Sequence, residues 1–186
     1  MAIKNPKCLV IDTSVMFAAS TKALNLPSPS QACADFLIEI LKLGHSVIMT
    51  DEILEEWDRY NLTTKSFDPK LAAWYPTMRR KGKIRRHFGN TQNEELRQII
   101  FATIDPNAVE AVRKDMRLIE AAILADELVA SRDEKMRGHF GRASLKVEAL
   151  QVIVWVNPST QEENCMIWLR EGAPADKERM LGFQTE

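Results

Sequence analysis

Cys8-Leu9-Val10-Ile11-Asp12-Thr13-Ser14 is the stretch that decides the fold: four apolar residues, two of them β-branched, stop abruptly at three polar ones. Apolar residues without alternation predict a strand buried on both faces, as in a parallel sheet, and the sudden change sets Asp12 at the strand's carboxyl end. Ser46-Val47-Ile48-Met49 repeats the pattern. Between the two, Ser28-Pro29-Ser30-Gln31 has the form of a capping box with proline at the first helical position, and Phe36, Leu37, Ile40 and Leu41 follow at helical spacing until Gly44. A second helix is expected from Asp51, with Ile53, Leu54 and Trp57 on its apolar side. Further on, Leu118, Ile119, Ala122 and Ile123 mark a helix leading into a third strand at Glu127–Ser131, and a fourth strand is read at Gln151–Val156.

Buried strands alternating with amphipathic helices predict an α/β protein: a Rossmann-like, three-layer α/β/α fold around a central, mostly parallel sheet of about four to five strands. From about residue 61 to 105 the pattern loosens. Asp68-Pro69 and Thr91 with Glu94 have the form of helix starts, Pro76 and Gly82 interrupt, and the whole reads as a helical, basic insertion within a single domain at 1–157. Thr160 and Glu163 start a C-terminal helix through Leu169, so that residues 158–186 are a helix and polar tail of the same domain.

With 186 residues and 45% hydrophobic content, the chain can bury one sizeable core. A net charge of -1 and 27% charged residues exclude a disordered or wholly basic protein. Cys8, Cys33 and Cys165 are odd in number and far apart, as expected of buried, reduced thiols in a cytoplasmic protein. No run approaches the roughly 18 apolar residues of a membrane span, and no signal-peptide core precedes the first strand. The expectation is a cytoplasmic protein with no membrane partner.

In a parallel α/β sheet the functional crevice lies outside the carboxyl ends of the strands, and four acids can reach that rim. Asp12 follows the first strand and Asp133 the third. Glu56 sits early in the helix leaving the second strand, and Asp115 is read as opening the helix that runs back to the third. At roughly 100° per residue, Asp115 falls near the centre of the Leu118/Ile119/Ala122/Ile123 stripe, Glu120 points away from it, and Glu56 is the acid nearest the Ile53/Leu54/Trp57 face. Asp126, at the far end of its helix, is read as a turn residue at the opposite edge. Each acid alone has a plainer role: Asp12, Asp115 and Asp133 as cap or turn residues, Glu56 as a solvated charge. Convergence favours a site. Carboxylates gathered without histidine or thiolate select Mg2+ or Mn2+, and such an ion can activate water for phosphodiester hydrolysis with no protein nucleophile.

Here the chain resembles the PIN-domain family over roughly Pro6 to Asn157. The match lies in Leu9-Val10-Ile11-Asp12-Thr13-Ser14, Ile53-Leu54-Glu55-Glu56-Trp57, Asp115 ahead of Arg117-Leu118-Ile119-Glu120-Ala121-Ala122, and Val129-Ala130-Ser131-Arg132-Asp133. The resemblance implies a PIN-like, Mg2+- or Mn2+-dependent endoribonuclease acting on single-stranded RNA, with Asp12, Glu56, Asp115 and Asp133 as catalytic metal ligands and Thr13, Ser14 and Ser131 as supporting hydroxyls. It leaves open a homodimer and an antitoxin-like inhibitor as partners. The segment from Glu56 to Asp115 is longer than in compact toxin members, and the tail after Asn157 has no counterpart.

Between Pro69 and Asn93 there is no acidic residue, while Arg79, Arg80, Lys81, Lys83, Arg85 and Arg86 crowd together. They are candidates for phosphate binding, with Trp74, Tyr75 and Phe88 as candidates for base stacking; the plainer reading is a solvated basic helix whose aromatics pack in the core. An alternative class is a catalytically silent module of the same fold that binds RNA or a protein. A phosphotransferase of the haloacid dehalogenase type needs a second Asp two residues after the first, where Ser14 stands, and a receiver domain needs an early acidic pair that is missing. No phosphate-binding glycine loop or zinc-ligand spacing occurs, and His45, His87 and His139 are scattered.

Overall fold

The computed structural model describes residues 4–20, 28–60 and 69–183. Its centre is a five-stranded, all-parallel sheet in the order β3-β2-β1-β4-β5, formed by Cys8–Ile11 (β1), Ser46–Thr50 (β2), Ile84–His87 (β3), Leu128–Ala130 (β4) and Val154–Val156 (β5). The helices, in chain order, are Thr13–Ser20 (α1), Pro29–Leu43 (α2), Asp51–Arg59 (α3), Pro69–Ala72 (α4), Trp74–Arg80 (α5), Glu94–Phe101 (α6), Val109–Ile123 (α7), Glu134–Ser144 (α8), Glu148–Gln151 (α9) and Cys165–Arg170 (α10). Strand order moves outward in one direction from β1 through β2 to β3, then returns past β1 to β4 and β5. Right-handed crossovers therefore put α2, α4 and α5 on one face and α7 and α8 on the other, giving three layers. Contacts of α2 with α1, α4, α5 and α10, and of α7 with α6 and α8, follow that division.

Local chemistry sets the helix ends. Ser28 caps α2 by accepting from the Gln31 amide, Pro29 occupies the first turn, and Gly44 ends the helix at φ +83°, a conformation that favours glycine. Thr50 and Asn93 cap α3 and α6 in the same way. All of β1 is buried, as are Val47, Ile48 and Met49 of β2, and Trp57, Trp74, Trp155 and Trp168 fill the layers between sheet and helices. All three cysteines are free and buried, and burial pushes the thiols of Cys33 and Cys165 up to about 11 and about 12.

Several sequence expectations need correction. The insertion is not helical throughout: Ile84–His87 is a strand, paired from Val47↔Ile84 to Thr50↔His87. It lacks an apolar run because it is an edge strand with one neighbour, and basic side chains on an edge discourage pairing with another chain. The start expected at Asp68 lies outside the described residues. The fourth expected strand begins only at Val154, since Glu148–Gln151 is helical and Val152 is exposed. Glu127 precedes β4 with φ 60° rather than belonging to it. The C-terminal helix is broken at Asn164, which adopts φ 46° between a 3-10 turn and α10. The tail then packs back on the sheet, with the Leu181 amide donating to the Ile153 carbonyl at 2.8 Å and Met180 bridging antiparallel to Val154. No helix among the described residues is long and apolar enough to cross a membrane.

Candidate metal centre

The order reverses between β1 and β4, and at such a switch point the diverging helices open a crevice at the carboxyl ends of the strands. The Asp12 amide donates to Ala130 of β4 at 2.9 Å, so Asp12 is anchored at that point. Its Oδ2 accepts from Ser14 Oγ at 2.5 Å and from Ser131 Oγ at 2.8 Å. Those hydroxyls are themselves fixed, Ser14 Oγ by the Arg132 amide and Ser131 Oγ by the Asp133 amide, each at 3.1 Å. With Oδ2 held twice, Oδ1 is the oxygen turned to the crevice, 3.9 Å from Arg117 Nη2.

Glu56 reaches the same place from α3, where the Thr13 hydroxyl donates to its Oε2. Arg117 Nη2 donates to that oxygen at 2.6 Å, and Arg117 Nη1 donates to Asp115 Oδ1 at 3.0 Å. One guanidinium thus spans acids from three parts of the chain. Asp115 does not open its helix, as the sequence suggested: α7 starts six residues earlier, at Val109. It still arrives at the rim, where Arg117 bridges it to Glu56. Burial, opposed by Arg117 and reinforced by the charges of Asp12, Asp133 and Glu56, raises the Asp115 carboxyl to about 6. Asp133 is exposed and caps α8, its Oδ1 accepting from the Met136 amide at 2.7 Å, so the plainer role holds for it alongside its charge at the site.

Two residues were misread or missed in the sequence. Glu120, expected to point away from the apolar stripe, is buried and paired bidentately with Arg97, at 2.7 and 2.8 Å, while also accepting from the Asn93 amide. That pair ties α6 to α7. Arg117 was missed because it lies two residues from Asp115, on nearly the opposite side of a helix; only the length of its side chain brings it round. Asp126 is where it was expected, at the amino edge of the sheet, accepting from the Cys8 amide at 2.7 Å. His45 is a core residue, its Nδ1 accepting from the Lys7 amide and its Nε2 facing the Leu169 carbonyl.

The donors around Asp12 are all oxygen, which suits a hard divalent cation in chemistry and in charge. Their present spacing is set by Arg117 instead, and among the described residues no three acidic, histidine or cysteine side chains stand close enough to hold an ion as they are.

Beside the acids, across α3, runs a groove of about 880 Å3 lined by Leu54, Asp58, Tyr75, Pro76, Arg79, Arg80, Ile84, Arg86 and Phe88. Phe88 is 74% exposed, with the Arg86 guanidinium 5.0 Å from its ring centre. Arg86 also pairs with Asp51 at the start of α3. Lys81, Lys83 and Arg85 do not line the groove. Trp74 is excluded from stacking on a base: it is fully buried, packed on Trp57, with its Nε1 donating to the Leu37 carbonyl.

No protein-family model, curated protein or solved structure matches the chain.

Proposed function

We propose that the chain is a PIN-like endoribonuclease that hydrolyses phosphodiester bonds of single-stranded RNA with Mg2+ or Mn2+ held by Asp12, Glu56, Asp115 and Asp133. The observation that carries this reading is the reach of Arg117, which touches Glu56 and Asp115 and approaches Asp12, so acids from separate elements surround one point. A bound divalent ion would supply Lewis acidity toward water and phosphate oxygens there. The chain's own residues do the rest. Ser14 and Ser131 fix the Asp12 carboxylate so that one oxygen faces the crevice, and Thr13 does the same for Glu56. Asp115 brings a third carboxylate to the same point, its Oδ1 accepting from Arg117 Nη1. Arg79, Arg80 and Arg86 would hold backbone phosphates along the neighbouring groove while Phe88 and Tyr75 stack on bases.

Charge balance by Arg117 favours a second reading, a catalytically silent module of the same fold that binds RNA without cleaving it. Incubation of single-stranded RNA with wild type, Asp12→Asn and Asp133→Asn in Mn2+ separates the two. Cleavage by wild type alone supports the nuclease; binding without cleavage supports the silent module; cleavage by all three rejects this site.

A further inference from the structure

Arg117 is held unlike Arg97, its neighbour on the facing helix. Arg97 donates through Nε and Nη2 to both oxygens of Glu120, a closed bidentate pair between side chains 10% and 1% exposed. Arg117, 11% exposed, divides its two terminal nitrogens between different acids, Nη1 also donating to the Lys114 carbonyl, and its buried Nε has no partner. A guanidinium with an unsatisfied buried donor is less firmly fixed than one whose fork is matched.

Its position bears on metal entry. Glu56 Oε2 already accepts from both Thr13 Oγ1 and Arg117 Nη2, which occupies the two lone pairs of that oxygen. Nη2 also lies 3.9 Å from Asp12 Oδ1, the Asp12 oxygen not engaged by Ser14 or Ser131. An ion bridging Asp12 Oδ1 and Glu56 Oε2 at about 2.1 Å would need the space that Nη2 fills.

Resting on the metal-dependent reading of this site, we propose that Arg117 is a built-in counter-ion that competes with the divalent cation: it closes the acidic pocket in the metal-free protein and is displaced from Glu56 and Asp12 when the ion enters. The test is Mn2+ titration calorimetry on the full chain, stripped with chelator, for wild type and Arg117→Met. Methionine keeps much of the buried stem and removes the charge. Loss of the competitor should tighten Mn2+ binding by about tenfold or more, and the metal-free variant should melt lower than wild type, with Mn2+ restoring the difference. Arg117→Lys, which keeps the charge but cannot bridge two acids, should fall between them and serves if the methionine variant does not fold. In wild type, the Arg117 Nε–H resonance should move on addition of Mg2+ while that of Arg97 stays. Equal or weaker Mn2+ affinity in the variants, with Mn2+-dependent cleavage by wild type intact, overturns the competition alone. Folded wild type and variants that all fail to bind Mn2+ overturn the metal-dependent reading, and the competition with it.

Discussion

Replacing Asp115 by asparagine should stabilise the metal-free protein at neutral pH, although it removes a charged partner from Arg117. The Asp115 carboxyl sits at about 6 in the folded chain against an ordinary value of 3.8, chiefly through burial, with Asp12, Asp133 and Glu56 adding to the rise and Arg117 opposing it. Because the folded value is the higher one, Asp115 favours the folded state below pH 3.8, and that advantage is lost as pH rises through 6. A difference of about two units corresponds to roughly 3 kcal/mol at 1.36 kcal/mol per unit, the upper limit of what the amide can recover. For a domain of this size that is roughly 6–12 °C in Tm. The carboxamide oxygen introduced by the substitution can still accept from Arg117 Nη1. Melting curves of wild type and Asp115→Asn in chelator, from pH 3.5 to 8, should converge at the acid end, diverge between pH 3.8 and about 6, and keep a constant separation above that. A variant less stable than wild type at pH 7.5, or a difference independent of pH, would refute the account of a crowded anionic pocket.

Glu120→Ala leaves Arg97 buried without its partner and should destabilise the chain by about 3–5 kcal/mol in urea unfolding. Ser131→Ala frees the Asp12 carboxylate from one of its two anchors, and should lower Mn2+-dependent cleavage about tenfold while leaving the circular dichroism spectrum unchanged. Neutralising Arg79, Arg80 and Arg86 together should reduce the slope of log affinity against log salt for single-stranded RNA by about 2, from the roughly 0.7 expected per phosphate contact; an unchanged slope would place RNA elsewhere on the protein.

What could be read in the chain, and what could not, divides along physical lines. Cys8–Ile11 and Ser46–Met49 declare themselves because strands covered on both faces must be apolar throughout, and Ser28, Pro29 and Gly44 mark their helix by local backbone chemistry. Chain direction then carries Asp12, Glu56 and Asp115 to one rim, with Asp133 close enough to influence Asp115. β3 was hidden because an edge strand needs few apolar residues; Ile84 is its only one. The burial of Glu120 was not legible because angle around a helix says where a side chain begins, not what a neighbouring helix offers: α6 supplies Arg97. Arg117 escaped for the converse reason, since a long side chain can leave the face on which its Cα lies. Trp74 looked like a base-stacking candidate by its place beside the basic run, yet the packing of α5 against the core takes it entirely.

The central claim is that separate acids create one pocket for a divalent ion. Crystals of the metal-free protein soaked in Mn2+ and measured at the manganese absorption edge test it directly. The account predicts an anomalous peak bounded by the carboxylates of Asp12, Glu56, Asp115 and Asp133, with the Arg117 guanidinium moved away from it. A peak elsewhere, or none at saturating Mn2+ with Arg117 still bonded to Glu56 and Asp115, would contradict it.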